Sequence, residues 1–349
     1  MSRLDDAYAL VSIASLSRHE APLAAHVEAQ LRNATFLDVE RVGDNVVART
    51  SGRHATRVLV AGHLDTVPGE ATHAKIVGDE LRGVGACDMK GSLAVMLALA
   101  VDPTPRPIEV TWIFYAREEI SRRESGLMEI AELRPELLQG DVAVLCEPTG
   151  GVVEAGCQGT LKVSVVLSGR RAHTARPFTG RNAIHRVGEL IDRVAQYRPR
   201  TVSIDGVSYT EQLQAVAVEG GVASNVVPDI AALTLNHRVA PDRTKDEATS
   251  WLRDYLGDLV EESDTFSVLD WAPSALPSLS SDRLASLVRL TGKPAAGKMG
   301  WTDVATFQEL SIPATNFGAG DPLLAHRSDE FITLEQLENF ENVIRTWLA

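Results

Sequence analysis

The amino-acid sequence predicts an α/β fold: a mixed, largely parallel sheet with helices on both faces, interrupted by an inserted α+β domain. Three observations predict it. Compact β-rich runs alternate with helical segments through the first half of the chain, the pattern of a sheet covered on both sides. The texture changes between about residues 172 and 283, where longer half-apolar runs and two amphipathic helices replace the compact strands. The length, 349 residues with 44% hydrophobic content, suits two domains better than one.

The elements follow in order. Leu4 to Leu31 has helical apolar spacing broken near Pro22, and Thr35 to Arg49 alternates as strands do. RVLVA at Arg57 to Ala61, the run Ile108 to Tyr115 and VAVLC at Val142 to Cys146 read as buried strands, with a helix over Met89 to Ala100 between the first two. The inserted region should hold a helix near Asn182 to Tyr197, strands at Gln212 to Glu219 and Ile230 to Val239, and a helix near Thr244 to Glu261. These spans divide the chain into a catalytic domain, 1–171 and 284–349, and an inserted lid domain, 172–283.

Composition excludes several roles. A net charge of −13 without a basic stripe opposes binding to nucleic acid or an anionic membrane. The first ten residues lack the apolar core of a secretory signal, and no later run would span a bilayer, so a cytoplasmic protein is expected. The three cysteines, Cys87, Cys146 and Cys157, form no C-x-x-C pair and no disulfide framework. No G-x-S-x-G elbow is present, and Cys157 has no evident histidine partner, which argues against a serine or cysteine hydrolase.

The informative polar residues stand just beyond the apolar strands, at the edge where open α/β sheets gather ligands. GHLDTVP places His63 and Asp65 two apart, so that Asp65 could bond the second ring nitrogen of His63 and orient it. GVGACDMKGS puts Asp88 between a glycine-rich turn and a helix, where an isolated Asp would serve as an N-cap. Glu118 and Glu119 follow TWIFYA; an isolated pair would open a helix, but here Glu119 could bind metal while Glu118 takes a proton from activated water. Glu147, in LCEPTGG, reads alone as an exposed loop acid. Together with His326 these groups supply two histidines and three carboxylates, one of which can bridge two cations. That donor set favours Zn²⁺, with Co²⁺ or Mn²⁺ as alternatives, and two ions about 3.5–4 Å apart could polarise a carbonyl.

GHLDTVP, GVGACDMKGS, the EE pair, LCEPTGG and GDPLLAHRSDE, in this order over nearly the whole chain, resemble the two-zinc aminoacylase and carboxypeptidase family, which includes amino-acid desuccinylases and deacetylases. The resemblance implies that His63 and Glu147 ligate one ion, Glu119 and His326 the other, with Asp88 bridging, Glu118 as general base and Asp65 as orienting acid. It further implies a lid through which subunits form a homodimer. RRAHTARPFTGRNAIHR resembles the lid motif, in which His173 reaches the partner subunit's site and stabilises an oxyanion. SNVVPD and NHRVAPD resemble substrate-carboxylate elements and make Arg176, Asn225 and Arg238 candidate anchors, surface ion pairing being the alternative for either arginine. GWTDVATF and NFGAGDPLLAHRSDE, with Gly300 and Thr302 as further substrate contacts, look closest to the actinobacterial desuccinylases acting on N-succinyl-L,L-2,6-diaminopimelate. Hydrolysis of another N-acyl amino acid is the alternative, and a metal-free binding protein on the same fold is the reading from a different class. Arg117, where many relatives carry an acid, would either alter the protonation of Glu118 or form a surface ion pair.

Overall fold

A computed structural model describes residues 2–52, 54–68 and 74–349. The chain folds as two compact units: the first comprises the chain through Gly156 with Pro277–Ala296 and Asp303–Ala349, the second Cys157–Leu276 with Gly297–Thr302.

The first unit is built on an eight-stranded sheet, in the order Leu37–Val42, Asn45–Thr50, Glu109–Tyr115, Arg57–His63, Val142–Leu145, Ala314–Asn316, Glu154–Ala155 and Ala296–Gly297. The strands from Glu109–Tyr115 through Ala314–Asn316 are mutually parallel. Those toward the edges, Leu37–Val42, Asn45–Thr50 and Glu154–Ala155, run antiparallel to their neighbours. The fold is thus the mixed, largely parallel sheet predicted. Glu109–Tyr115 is buried along its whole length, as a strand covered on both faces must be. Helix Gly91–Ala100 is apolar nearly all round and buried at nine of ten positions, because it packs inside the core. The N-terminal helical segment divides into Arg3–Val11 and Ala21–Arg32, with Pro22 in the first turn of the second helix, where its missing N–H costs nothing.

The second unit is a four-stranded antiparallel sheet, in the order Gln212–Gly220, Ile230–Val239, Gly159–Ser168, Thr265–Ala272, packed with helices Ala183–Ala195 and Lys245–Leu256. Asn182 caps the first helix, and Thr244 with Glu247 forms a capping box on the second. This unit begins nearer residue 157 than 172, because Gly159–Ser168 is an interior strand of its sheet. Leu161, Val163, Val165 and Leu167 alternate into its core. Among the described residues, no helix is long and apolar enough to cross a membrane.

Candidate metal centre

In the first unit, parallel pairing sets the polar residues at one level. His63 is opposite Tyr115 in register, so Leu64–Asp65 and Arg117–Glu119 leave the sheet side by side, and Val142–Leu145 delivers Glu147 to the same edge. The backbone at Asp88 is non-helical (φ −118°, ψ 92°), in a wide turn Ala86–Lys90 ahead of the helix, and its peptide bond to Met89 is cis. The helix starts at Gly91 with Lys90 as its cap residue, so Asp88 is not an N-cap. Glu118 and Glu119 lie in an irregular loop rather than opening a helix, and Glu147 is buried rather than exposed.

Donor atoms of His63, Asp88 and Glu119 all lie within 4.8 Å of one another. Asp88 divides its oxygens: Oδ1 is 3.0 Å from His63 Nε2, and Oδ2 is 3.5 Å from His326 Nε2. His326 Nε2 is also 3.0 Å from Glu119 Oε1. His63 is fully enclosed, whereas the His326 side chain is 53% exposed, so the cluster opens on the His326 side.

Asp65 does more than orient a ring. His63 Nδ1 is 3.0 Å from the Asp65 main-chain oxygen and 3.5 Å from its carboxylate. The carboxylate accepts the backbone N–H of Glu118 (3.0 Å) and of Glu119 (3.1 Å) and the Ser17 hydroxyl (2.8 Å). One buried acid therefore holds the loop bearing both glutamates. Arg117 reaches the other way: its Nε donates to the Glu124 carbonyl at 2.7 Å, and its guanidinium pairs with Glu129 at 2.5 Å.

Burial opposes charge on the His63 ring, yet its bonds to Asp65 and Asp88 and the charge of Glu147 prevail and raise the imidazole well above its ordinary value. Bonds to Asp88 and Glu119 raise His326 to about 10. Burial acts against ionised Asp88, but its bonds to His326 and His63 hold it well below the usual carboxylate range. Glu118 is moved the opposite way: burial first, then the charge of Glu147, raise its carboxyl well above an ordinary glutamate's.

These residues fit a pair of divalent ions. Two imidazoles on opposite oxygens of one carboxylate, with further carboxylates beside them, form the N/O donor set of a bridged site. His63, whose other nitrogen is held by Asp65, has the outer-sphere support of a ligand imidazole. Metal uptake should therefore expel protons. Neighbouring carboxylates raise the proton affinity of both imidazoles, which must be neutral to coordinate, so affinity should fall as pH is lowered. Calorimetric titration with Zn²⁺ in two buffers of different ionisation enthalpy should show release of up to about two protons; equal heats in both would contradict this electrostatic reading.

Glu330 escaped the sequence reading as a site residue. It is buried, and its carboxylate accepts the backbone N–H of Gly85 (3.1 Å), Cys87 (2.7 Å) and Asp88 (2.9 Å). Burial outweighs these donors and lifts the carboxyl to about 7. The signal available was its place four residues after His326 in the HRSDE segment.

His173, Arg176, Asn225, Arg238, Gly300 and Thr302 belong to the second unit. The His173 and Asn225 segments meet there: His173 bridges Val226, and Thr174 N donates to the Asn225 oxygen at 3.1 Å. His173 and Arg176 are exposed, and Gly300 has open space around its Cα. Arg238 is half-buried on its strand and bonds Thr160 Oγ1 at 2.7 Å. Thr302 is buried, its carbonyl 3.6 Å from Cys157 Sγ.

The family model described as peptidase family M20/M25/M40 matches residues 59–349. The putative succinyl-diaminopimelate desuccinylase DapE of Mycobacterium tuberculosis is 45% identical over 346 residues, 98% of this chain and 96% of that protein. The succinyl-diaminopimelate desuccinylase of Corynebacterium glutamicum is 40% identical over 347 residues, covering 97% and 94%. Among solved structures, the YXEP protein of Bacillus subtilis, described as a dinuclear metal-binding peptidase of the M20 family, superimposes with a TM-score of 0.73 at 15% identity, covering 99% of this chain and 96% of that one. With the family model matched over residues 59–349 and a relative 45% identical along 98% of its length, the chain belongs to peptidase family M20/M25/M40.

Proposed function

We propose that the chain is a metal-dependent amide hydrolase that cleaves N-succinyl-L,L-2,6-diaminopimelate to succinate and L,L-diaminopimelate. The observation that carries the chemistry is the placement of Glu118 and Glu119 on one carboxylate, Asp65, which aligns an unligated acid beside a candidate ligand. The acyl group rests on the full-length kinship with the two desuccinylases.

His63 and Glu147 would hold one divalent ion, Glu119 and His326 the other, and Asp88 would bridge them; zinc is the favoured metal, with cobalt or manganese as alternatives. Bound there, the ions supply Lewis acidity to the amide carbonyl and the attacking water. Glu118 takes the proton from that water, its proton affinity raised by burial and by Glu147, and returns it to the departing amine. The C–N bond breaks, leaving a carboxylate and an amine. His173 stabilises the oxyanion from a partner subunit, while Arg176, Asn225, Arg238, Gly300 and Thr302 grip the substrate's carboxylates. A homodimer formed through the second unit and a cytoplasmic setting belong to the same reading.

A substrate panel tests it. Zinc-supplied enzyme should turn over the succinylated diaminopimelate with a kcat/KM at least about 10²-fold above acetylornithine or a glutamyl peptide, about 2.7 kcal/mol of discrimination. Preference for an acetyl or glutamyl substrate would overturn the acyl assignment and leave the chemistry intact. Turnover that survives chelation would remove the metal mechanism.

A further inference from the structure

Glu330 connects two parts of the centre that are far apart in sequence. Its side chain closes the turn that carries Asp88: Oε1 takes the N–H of Cys87 and of Asp88 itself, and Oε2 that of Gly85. Its main chain is fixed to the start of the same turn, with Gly83 N donating to the Glu330 oxygen at 3.1 Å. The next residue enters the Phe331–Thr333 strand, which pairs antiparallel with Glu80–Arg82 in the register Phe331 to Arg82. Four residues earlier stands His326, exposed and at φ 64°, in a loop rather than a strand. His63, by contrast, ends a buried strand. The Asp88 turn meets the His63 strand where the His63 N–H lies 3.3 Å from Met89 Sδ, and it is joined to the loop bearing His326 by the three bonds to Glu330 and by Cys87 Sγ, 3.2 Å from the Asp321 carbonyl oxygen.

We propose that Glu330 is a positioning residue of the metal centre: by gripping the Gly85–Asp88 turn it aligns the second oxygen of Asp88 with His326 and so governs occupancy of the ion on the Glu119–His326 side. The inference rests on the two-ion reading above. It assigns Glu330 no contact with metal or substrate. A buried carboxylate is required because three N–H groups converge on two oxygens, which a carboxylate accepts without presenting any donor. Glutamine could accept from Cys87 and Asp88 with its oxygen but would turn an N–H₂ group toward the Gly85 N–H.

The test is Zn²⁺ titration of metal-free wild type, Glu330→Gln and Glu330→Ala by calorimetry, with amide exchange of residues 83–90 followed on the same metal-free proteins. Wild type should bind two ions. The alanine variant should keep the first and bind the second about 10- to 100-fold more weakly, as loss of outer-sphere support does elsewhere. The glutamine variant should fall between. Exchange at Gly85, Cys87 and Asp88 should accelerate in the same order, a readout that needs no bound metal and that a globally unfolded variant would betray by uniform loss of protection. Equal second-ion affinity in all three proteins would overturn the inference while leaving the two-ion reading in place. Equal weakening of both ions would overturn the selective role. Wild type that binds no zinc would overturn the two-ion reading and the inference with it.

Discussion

Replacing Glu118 by glutamine should lower kcat/KM by roughly 10²–10⁴, about 3–5 kcal/mol of transition-state stabilisation, while both metal equivalents remain bound. Glutamine has nearly the shape of glutamate and cannot take a proton. It should also leave the loop undisturbed, because Asp65 holds the main-chain N–H of position 118 and not its side chain. Metal content measured beside steady-state kinetics separates this result from general damage to the site. A variant with full activity and full metal would remove Glu118 from the mechanism.

Asp88→Ala should have an effect at least as large, by another route. Each Asp88 oxygen faces a different imidazole, so one substitution removes a donor from both ion positions. Zinc stoichiometry should fall below two even with excess metal, and turnover should drop on the order of 10³-fold or more, several kcal/mol of lost charge stabilisation. The comparison with Glu118→Gln is the informative one, since one variant should retain metal without chemistry and the other should lose both. Two ions bound to Asp88→Ala at wild-type affinity would refute the bridging assignment.

Much of this arrangement was legible in the sequence because its carriers are apolar strands. RVLVA, TWIFYA and VAVLC are short, β-rich and bounded by turn residues, and parallel pairing of such strands brings His63, the Glu118–Glu119 pair and Glu147 to one edge. What the side-chain pattern could not convey was the use of backbone donors. Asp65 was expected to serve the His63 ring and chiefly serves the amides of Glu118 and Glu119. Glu330 closes the Asp88 turn entirely through main-chain N–H groups, which every residue type offers alike. The strands Gly159–Ser168 and Thr265–Ala272 were missed for a related reason: each takes its place only through partners distant in sequence, and the second buries only Ala272. The wide turn at Ala86–Lys90 displaces the helix start to Gly91, although Met89 and Lys90 are themselves good helix formers.

The alignment of His63 with Tyr115 across two parallel strands has a bearing on how this protein can change over generations. An insertion of one residue within Arg57–His63 or Glu109–Tyr115 would advance everything beyond it by about 3.3 Å and turn it to the opposite face of the sheet. The linkers that lead into these two strands hold none of the candidate site residues and carry no such penalty, since extending a surface loop costs only a few tenths of a kcal/mol per added residue at most. Descendants of this chain should therefore differ in the length of the connections that enter these two strands, and hardly at all in the number of residues within the strands or in the site-bearing segments that leave them.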